Sequence, residues 1–256
     1  MATQLTLTAL PDIPLVEPGD DLATIILDAY ARADLMPADG DVLVIAQKIV
    51  SKVENRYAYL STIEPGPAAL ALADRTRTEP RLAELILRES REVLRQRPGV
   101  VIVEHQLGYV HANAGIDRSN IVSDDDHDPR VLLLPADPDA SARSLRDTLR
   151  ERYRVDIAVI INDSAGRAWR NGVIGFAIGC AGIEPLRDMI GQPDLFGRAL
   201  ERTQIAIADE LAAAGSLLMG QASEATPVVL ARGVRFSASD IGNAPLIRAR
   251  HEDLFR

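Results

Sequence analysis

The distribution of apolar residues predicts that strands and helices alternate along most of the chain. Apolar runs of strand length occupy residues 42–46, 100–103, 131–134, 157–161, 173–178 and 228–232. Helical spacing of apolar positions occupies residues 22–35, 68–74, 81–96, 141–152 and 195–219. Because the alternation is imperfect, we predict a mixed α/β fold in which some strands pair antiparallel.

Turn and cap residues mark where several of these segments begin and end. Three prolines in residues 8–18 predict an extended segment before the first helix. Asp139 or Ser141 is the expected cap of the helix over residues 141–152. The last helical pattern is interrupted by Gly197 and again near Gly215, where we expect breaks in the helix.

One segment, residues 156–179, combines strand-like runs with oxygen-bearing and basic side chains. Its first apolar run ends in Asn162, Asp163 and Ser164, and two arginines, Arg167 and Arg170, follow. A carboxylate and a hydroxyl at a strand end suit a hard divalent cation, and arginines suit a phosphate. The residues alone are equally consistent with a turn or a helix cap at Asp163 and Ser164.

Charge and composition restrict the classes of partner. The net charge of this 256-residue chain is −9, which argues against nucleic acid as a partner. The longest apolar stretch, residues 173–183, is far shorter than the roughly 20 residues of a membrane-spanning helix, so we expect no membrane partner. The N-terminal residues show no basic segment of a signal peptide. A single cysteine, Cys180, fits a packing role and a reducing cytoplasm.

Common catalytic motifs are missing from the sequence. There is no P-loop, GxGxxG, HExxH, CxxC or GxSxG segment. No metal-ligand spacing connects the histidines, which we expect to be core or surface residues: His105, His111, His127 and His251. We expect a solvated loop where four acidic residues cluster: Asp124, Asp125, Asp126 and Asp128.

Lysine is almost absent from this chain. Of 28 basic residues only Lys48 and Lys52 are lysines, and they are four positions apart. That spacing places them on one side of a helix or a strand. Their retention is either chance or a requirement for a compact ammonium group in place of a planar guanidinium.

Two oxygen-rich clusters follow strand-like runs and could open onto one cleft. The first contains Asn113, Asp117, Ser119 and Asn120, and the second is the segment 162–164. Carboxylate, hydroxyl and amide oxygens are ligands of hard divalent ions. The residues by themselves predict a metal-assisted enzyme that acts on phosphorylated substrates.

Five segments, in order, carry a more specific resemblance. They read GDVLVIAQKIVSK (40–52), ANAGIDRSN (112–120), LLLPADPDASA (132–142), VIINDSAGRAWRNGVIGFAIGCAGI (159–183) and ADELAAAGSLLMGQ (208–221). Together they resemble the coenzyme F420-0:L-glutamate ligase family, the γ-glutamyl ligases of deazaflavin coenzyme biosynthesis. The resemblance extends from Pro14 to about Gly233.

The resemblance implies a reaction and an architecture. Members use GTP, a divalent cation (Mg or Mn) and often a monovalent cation such as potassium. They phosphorylate the terminal carboxylate of F420-0, and the amine of L-glutamate then displaces phosphate to give the amide F420-1 and next the γ-linked F420-2. The resemblance also implies a cytoplasmic homodimer. It implies a family-specific two-lobed ligase fold with mixed sheets, which differs from a P-loop fold. Residues 1–256 would form one ligase unit, as one domain or two lobes, without a C-terminal flavin reductase-like domain.

The resemblance also implies which residues form the site. It makes Asp117, Asp163 and Lys52 catalytic, and it places metal on Asp117, Asp163, Ser164 and Gln221. The implied nucleotide contacts are Asp12, Ile13, Pro14, Leu15, Gln47, Lys48, Lys52, Asn120, Met219, Gly220, Gln221, Ala222, Ser223, Glu224, Ala225 and Thr226. Here NDSAGR stands where SDT-x-GR is common, and DIPL stands where GLPL is expected, which puts the N-terminal contact in doubt.

Two other hypotheses remain beside this one. The chain could be a related amide ligase or phosphotransferase with another acid as acceptor, or a nucleotide-binding module without turnover. A binding module needs neither paired metal-binding aspartates nor room for two further substrates.

Overall fold

A computed structural model describes residues 4–121 and 130–255. The described strands are β1 Thr6–Ala9, β2 Val42–Ala46, β3 Tyr57–Tyr59, β4 Ser90–Arg97, β5 Val100–His105, β6 Val110–Ala112, β7 Arg130–Leu132, β8 Ala158–Arg167, β9 Arg170–Ala181, β10 Arg187–Asp188, β11 Gln204–Ile205 and β12 Val228–Arg232. The described α-helices are α1 Leu22–Arg32, α2 Gln47–Val53, α3 Pro67–Thr76, α4 Pro80–Arg88, α5 Pro138–Tyr153 and α6 Ile207–Met219. Short 3₁₀ helices occupy Leu60–Thr62, Asn113–Gly115, Ala244–Leu246 and Arg250–Glu252.

A five-stranded mixed sheet forms the centre of the molecule. Its strand order is β1-β12-β2-β8-β9, and within it β2 and β8 pair in parallel whereas the other neighbours pair antiparallel. The predicted mixed α/β fold with some antiparallel pairing is confirmed. A parallel pair needs a long crossover connection, and here α2, strands β3 to β7 and helices α3 to α5 lie between β2 and β8 along the chain.

Side chains alternate between the two faces of this sheet, as the pleat requires. On one face Leu43 and Ile45 pack with buried residues of α1 and α5. On the other face Val42 and Val44 pack against α6. Strand β8 is buried on both faces from Ala158 through its apolar run, as the sequence predicts.

A second group of buried residues lies outside the central sheet. The antiparallel sheet β4-β5-β6 packs with α3 and α4 around residues such as Leu72, Ile86, Val101 and Val103. This separate core is what a second lobe requires, and the two-lobed arrangement stays a prediction. Strands β3 and β7 form a small antiparallel pair, as do β10 and β11.

Several predicted segments are confirmed closely. Strands β2 and β12 have the predicted bounds, and α1 and α3 lie where helical spacing occurs. Cys180 is fully buried, and burial raises the pKa of its thiol to about 12, so the thiolate is scarce near neutral pH and the residue serves packing. The acidic cluster 124–128 and His127 lie outside the described residues.

The helix predicted over residues 81–96 is wrong in its second half. Helix α4 ends at Arg88, and Ser90 begins a strand that returns against β5. The connection is a tight turn at Gly99, whose φ of +85° suits glycine. Pairing with β5 buries part of Val93, so tertiary contacts outweigh the helical preference of the segment.

The helix predicted over residues 195–219 and its neighbouring cap also need correction. Only Ile207–Met219 is helical, and the segment before it connects β10 with β11. Gly215 does not break α6, because its missing side chain lets the helix approach Val44, where a Cβ atom would lie 2.9 Å from Cγ1. Asp137, rather than Asp139 or Ser141, caps α5 by accepting from the backbone N–H of Ala140.

Candidate active site

A cavity of about 570 Å³ opens beyond the C-terminal end of the parallel pair β2 and β8. Ligands of α/β sheets commonly bind at this end of parallel strands. Its walls come from α2, from segments of β8, and from three loops around residues 13–17, 117–121 and 219–227. The segment 162–164 lines this cleft together with Asp117 and Asn120 of the first oxygen-rich cluster. Asn113 and Ser119 do not line it, and Asn113 instead accepts from the backbone N–H of Val101.

The sequence predicts that β8 ends at the polar residues 162–164, and this prediction is wrong. The strand continues through Asn162 and Asp163 to Arg167 and pairs with β9 as a long hairpin. The turn or helix cap considered for Asp163 is therefore wrong. The polar residues still face an opening, because the parallel partner β2 ends at Ala46, which is paired with Asn162.

Helix α2 begins without a connecting loop after β2, and this places its first turn in the cavity. Gln47 is the first residue of the helix and is buried, while Lys48 and Lys52 share one side of it and line the cavity. Burial lowers the pKa of Lys52, and the nearby charge of Lys48 adds to the shift. The two lysines of the chain thus form one cationic wall.

The Asp117 carboxylate is held against this wall by α2. Gln47 donates from Nε2 to Oδ2 of Asp117 at 2.7 Å, and Lys48 Nζ lies 3.2 Å from Oδ1. Ser51 donates to Oε1 of Gln47 at 2.9 Å, which turns the amide NH₂ group toward Asp117. Backbone hydrogen bonds in both directions with Leu132 fix the main chain at Asp117.

The Asp163 carboxylate has its own supports on the neighbouring strand. Its Oδ1 atom accepts from the backbone N–H of Ser164 at 2.7 Å, and its Oδ2 atom lies 3.0 Å from Nε2 of His111. The other ring nitrogen of His111 lies 3.1 Å from the carbonyl oxygen of Ala112. Since both ring nitrogens face acceptors, this arrangement favours the doubly protonated imidazolium.

The electrostatics of the two carboxylates are coupled. Burial raises the pKa of Asp117, and the negative charge of Asp163 raises it further while Lys48 opposes the shift. Burial alone lowers the pKa of His111, but the hydrogen bond and charge of Asp163 outweigh it, so that the pKa is raised. A cation placed between the carboxylates would relieve the repulsion that these shifts report.

The donor set fits a divalent metal that keeps open coordination positions. Within the described parts of the chain no three His, Cys, Asp or Glu side chains cluster as metal ligands, so a closed protein cage is not present there. Mg²⁺ commonly binds through one or two carboxylates together with water and substrate phosphates. Asp117, Asp163, Ser164 and Gln221 line the cavity, as does Asn162, whose buried Oδ1 atom has no hydrogen-bond partner.

The loop between α6 and β12 forms the opposite wall and is held by hydrogen bonds at Thr226 and Ala222. Thr226 donates from Oγ1 to the carbonyl oxygen of Leu218 at 2.8 Å. Asn120 donates from Nδ2 to the carbonyl oxygen of Ala222 at 2.9 Å, which joins this loop to the loop that carries Asp117. Glu224 accepts from the backbone N–H of Ala222 at 2.8 Å and folds back over Gly220.

The structure brings together nearly all of the residues that the resemblance implies. Every one of them lines the cavity except Asp12, whose carbonyl oxygen accepts from Arg32 at 3.0 Å. Their roles in binding and catalysis stay predictions. Two arginines that the sequence predicts as phosphate-binding residues do not line the cavity. Arg167 and Arg170 lie exposed at the tip of the β8–β9 hairpin.

Three residues of this region were not found from the sequence. Arg130 and Tyr57 line the cavity, with the guanidinium of Arg130 4.2 Å from the centre of the Tyr57 ring. The sequence predicts that His111 is a core or surface histidine. No spacing of residues along the chain indicates its contact with Asp163. The one available signal was its position in a short strand just before the ANAGIDRSN segment.

Comparison with known proteins identifies the family. Residues 12–233 match the family of F420-0:gamma-glutamyl ligases. The chain belongs to this family. The resemblance found in the sequence is therefore confirmed, and membership in the F420-0:gamma-glutamyl ligase family makes the chain a ligase.

Individual relatives of the family support the assignment over almost the whole chain. The coenzyme F420:L-glutamate ligase of Methanothermobacter thermautotrophicus is 45% identical over 254 residues, covering 98% of this chain and 99% of that protein. The enzyme of the same name from Methanopyrus kandleri is 46% identical over 246 residues, covering 94% and 93%. That from Methanocaldococcus jannaschii is 39% identical, with 85% of each chain covered. In residues 4–121 and 130–255, none of the helices has the length and apolar character to cross a membrane.

Proposed function

We propose that this chain joins L-glutamate to the terminal carboxylate of coenzyme F420-0 and uses GTP to activate that carboxylate. One observation carries the proposal: two aspartates and both lysines of an acidic chain line a single cavity. All three proposed substrates are anions, so a site that accepts them must supply cations locally. Family membership supports the choice of F420-0 and glutamate.

The lysines and the surrounding loops suit a nucleoside triphosphate. Lys48 and Lys52 present ammonium groups that can donate to phosphate oxygens. The loop 219–226 supplies backbone and side-chain contacts on the opposite wall, and the segment 13–15 completes that wall. The preference for guanine rests on the family resemblance.

Divalent metal is the second part of the proposal. Asp117, Asp163, Ser164 and Gln221 would hold Mg or Mn, with potassium as an added monovalent cation. A bound divalent ion supplies positive charge that reduces the repulsion between a phosphate and an attacking carboxylate. Neighbouring side chains hold the two carboxylates in place: Gln47 and Lys48 contact Asp117, and His111 contacts Asp163.

The proposed reaction consists of two displacements. An oxygen of the F420-0 carboxylate attacks the γ-phosphorus of GTP, the bond to the β-phosphate oxygen breaks, and GDP leaves. The neutral amine of glutamate then attacks the acyl carbon of the acyl phosphate. The bond from carbon to the phosphate oxygen breaks, inorganic phosphate leaves, and the amide nitrogen loses a proton to phosphate or water. A second round on F420-1 gives γ-linked F420-2.

A product assay with an isotopic label tests this function. The protein is incubated with F420-0, glutamate, GTP and Mg²⁺, and the products are identified by mass spectrometry. We expect one GDP and one phosphate for each amide bond formed, with one ¹⁸O atom in the phosphate of the first bond when the F420-0 carboxylate carries ¹⁸O. Amide without labelled phosphate would overturn the acyl phosphate, and GDP without amide from any tested acid would overturn the ligase reaction.

The two competing hypotheses are tested by the same assay. A ligase for another acid would form amide only when F420-0 is replaced by that acid. A nucleotide-binding module would bind GTP and release no GDP. The paired aspartates and the room in the cavity favour the ligase.

A cytoplasmic homodimer is the remaining part of the proposal. Large apolar side chains are exposed between β10 and β11, where Leu195 is 98% and Phe196 95% accessible, as an interface would need. Symmetric dimers are the commonest soluble oligomers. Light scattering at micromolar concentration should give twice the chain mass, and a fully active monomer would contradict the dimer.

A further inference from the structure

The β8–β9 hairpin carries an unusual tip. Strand β8 leaves the cavity at Asp163 and continues to Arg167, where a two-residue turn leads into β9 at Arg170. Trp169 lies in that turn and is the single tryptophan of the chain. Its φ is +64°, a left-handed conformation that turns normally give to glycine or asparagine. A bulky aromatic residue is thus retained where the backbone disfavours it.

The ring of Trp169 is almost free of contact with the rest of the molecule. It is 88% accessible, and its neighbour is Phe255 near the C-terminus, with ring centroids 6.3 Å apart and planes inclined by 55°. Most of the indole surface therefore faces solvent beside the Phe255 ring. An exposed indole face beside a second ring is a surface on which a planar aromatic molecule can stack.

Positive charge accompanies the aromatic surface. Arg167 and Arg170 flank the turn and are exposed, and no carboxylate among residues 4–121 and 130–255 forms an ion pair with either. The ion pairs of the described residues involve only eight arginines, so what distinguishes Arg167 and Arg170 is that both flank one exposed indole ring. Guanidinium groups stack on aromatic faces and donate hydrogen bonds to oxygen acceptors. The tip therefore combines an aromatic surface with donors for oxygen atoms of a stacked ring.

The position of the tip relates it to the reacting groups. Arg167 is four positions after Asp163 on β8, about 13 Å along a strand at roughly 3.3 Å per residue. The strand extends past the end of β2, which is the end of the sheet where the cavity opens. A ligand with its carboxylate near Asp163 could thus reach the tip with its other end. That distance is too long for a small acid and suits an elongated acceptor.

We propose that Trp169, Arg167 and Arg170 form a subsite for the aromatic ring system of the acceptor, while its carboxylate lies near Asp163. This inference rests on the proposed function, since it names how the acceptor of that reaction is held. F420-0 has the required chemistry: a planar deazaflavin ring is joined to its carboxylate through a sugar-alcohol chain and a phosphodiester. The alternative occupant is a second copy of the chain, which would bury Trp169 in an interface.

The test measures binding directly, without turnover. The dissociation constant of F420-0 is determined by equilibrium dialysis for the parent protein, Trp169→Ala and Trp169→Phe. We expect Trp169→Ala to weaken binding at least about tenfold, and Trp169→Phe, which keeps an aromatic face, to weaken it far less. Leu70→Ala, at an exposed apolar position of α3 outside the cavity, is the matched control and should leave binding unchanged. Since Trp169 is the only tryptophan, its fluorescence should also be quenched as F420-0 binds.

A second probe isolates the ring from the rest of the acceptor. The ribityl deazaflavin, which lacks the phosphodiester and the carboxylate, should lose affinity with Trp169→Ala and with Arg167→Gln/Arg170→Gln. F420-0 should lose affinity with both variants. In steady-state assays Trp169→Ala should raise the KM for F420-0 and leave the KM for GTP unchanged.

Two results would overturn the subsite. One is an unchanged dissociation constant of F420-0 in Trp169→Ala. The other is conversion of Trp169→Ala to half the parent mass in light scattering, which would assign the surface to a second copy. Failure of the proposed function is distinguishable: if the parent protein binds F420-0 with quenching of Trp169 but forms no amide, the subsite stands and the ligase reaction falls.

Discussion

The Nε2 atom of His111 lies 3.0 Å from the Oδ2 atom of Asp163, although 52 positions separate the two residues. The contact joins the small sheet β4-β5-β6 to the hairpin of the central sheet. Phe176, the register partner of Asp163 on β9, packs against the imidazole with ring centroids 5.7 Å apart. The histidine is therefore fixed from two directions, and it fixes one oxygen of the carboxylate.

Replacing His111 should weaken metal binding without removing a metal ligand. Hydrogen-bond partners of metal ligands commonly change metal affinity by about 10- to 100-fold when they are lost. We expect that range for His111→Ala, measured as the Mn²⁺ dissociation constant by electron paramagnetic resonance. His251→Ala, which removes an exposed histidine, is the control. Unchanged Mn²⁺ affinity in His111→Ala would show that the contact does not position the carboxylate.

Asp163→Asn tests the charge of the proposed ligand and keeps its shape. The variant should fold, bind Mn²⁺ weakly and lose at least about a hundredfold in kcat, some 2.7 kcal/mol of transition-state stabilisation. The comparison variant Asp188→Asn lies in β10, outside the cavity, and should retain the parent kcat. Parental turnover of Asp163→Asn would rule out a metal-binding role for this carboxylate.

Lys52 should act through its charge and its compact shape. Lys52→Ala removes one charge-assisted contact to a phosphate, worth roughly 1.5–3 kcal/mol, so the nucleotide KM should rise or kcat should fall by about tenfold or more. Lys52→Arg keeps the charge but adds bulk to a half-buried position and should restore activity only in part. Steady-state kinetics with varied GTP give both values. Unaltered kinetics in Lys52→Ala would mean that the lysine is dispensable.

These tests concern residues that the sequence indicated to very different degrees. The lysines, Asp117 and Asp163 follow apolar runs whose burial is a local property of the chain, and the parallel pairing of β2 with β8 brings two of those runs together. Local pattern was therefore enough to find them. His111 and Arg130 acquire their positions from contacts with distant segments, and no local pattern records such contacts. The same cause explains β4, where pairing with β5 outweighs a helical pattern.

The buried pair of Asp41 and Arg232 should contribute strongly to stability. Asp41 is 1% accessible and accepts two hydrogen bonds of 2.7 Å from the guanidinium of Arg232. Arg232→Met leaves that carboxylate buried without its cation, at a cost of about 2–3 kcal/mol since the arginine is partly solvated. Urea denaturation measures the change. Arg152→Met, which breaks an exposed pair with Asp21, should cost less than about 1 kcal/mol, and equal losses would contradict the argument.

The cap of α1 should make stability depend on pH in acid. Hydrogen bonds from Thr24, followed by the pairing with Arg152, lower the pKa of Asp21 from 3.8 to about 2. A lowered pKa in the folded state means that the contribution is complete above the unfolded value of 3.8 and is lost as the pH falls toward about 2. Asp21→Ser keeps a capping oxygen without the charge.

The stability difference between the parent and Asp21→Ser should therefore shrink between about pH 3.8 and about pH 2. Urea denaturation at a series of pH values within this window gives that difference. A difference that stays constant through the window would show that the carboxylate has no lowered pKa.

The order of strands in the central sheet has a consequence for biosynthesis. Strand β12, near the end of the chain, lies between β1 and β2, which are made first. Until residues 228–232 leave the ribosome, both early strands have unpaired edges that can recruit other nascent chains. The loop 219–226, one wall of the cavity, is fixed at its C-terminal end only when β12 inserts. A chain released before that point lacks the strand that joins β1 to β2, and its cavity wall at residues 219–226 is incomplete. Premature termination therefore yields an aggregation-prone fragment without partial activity.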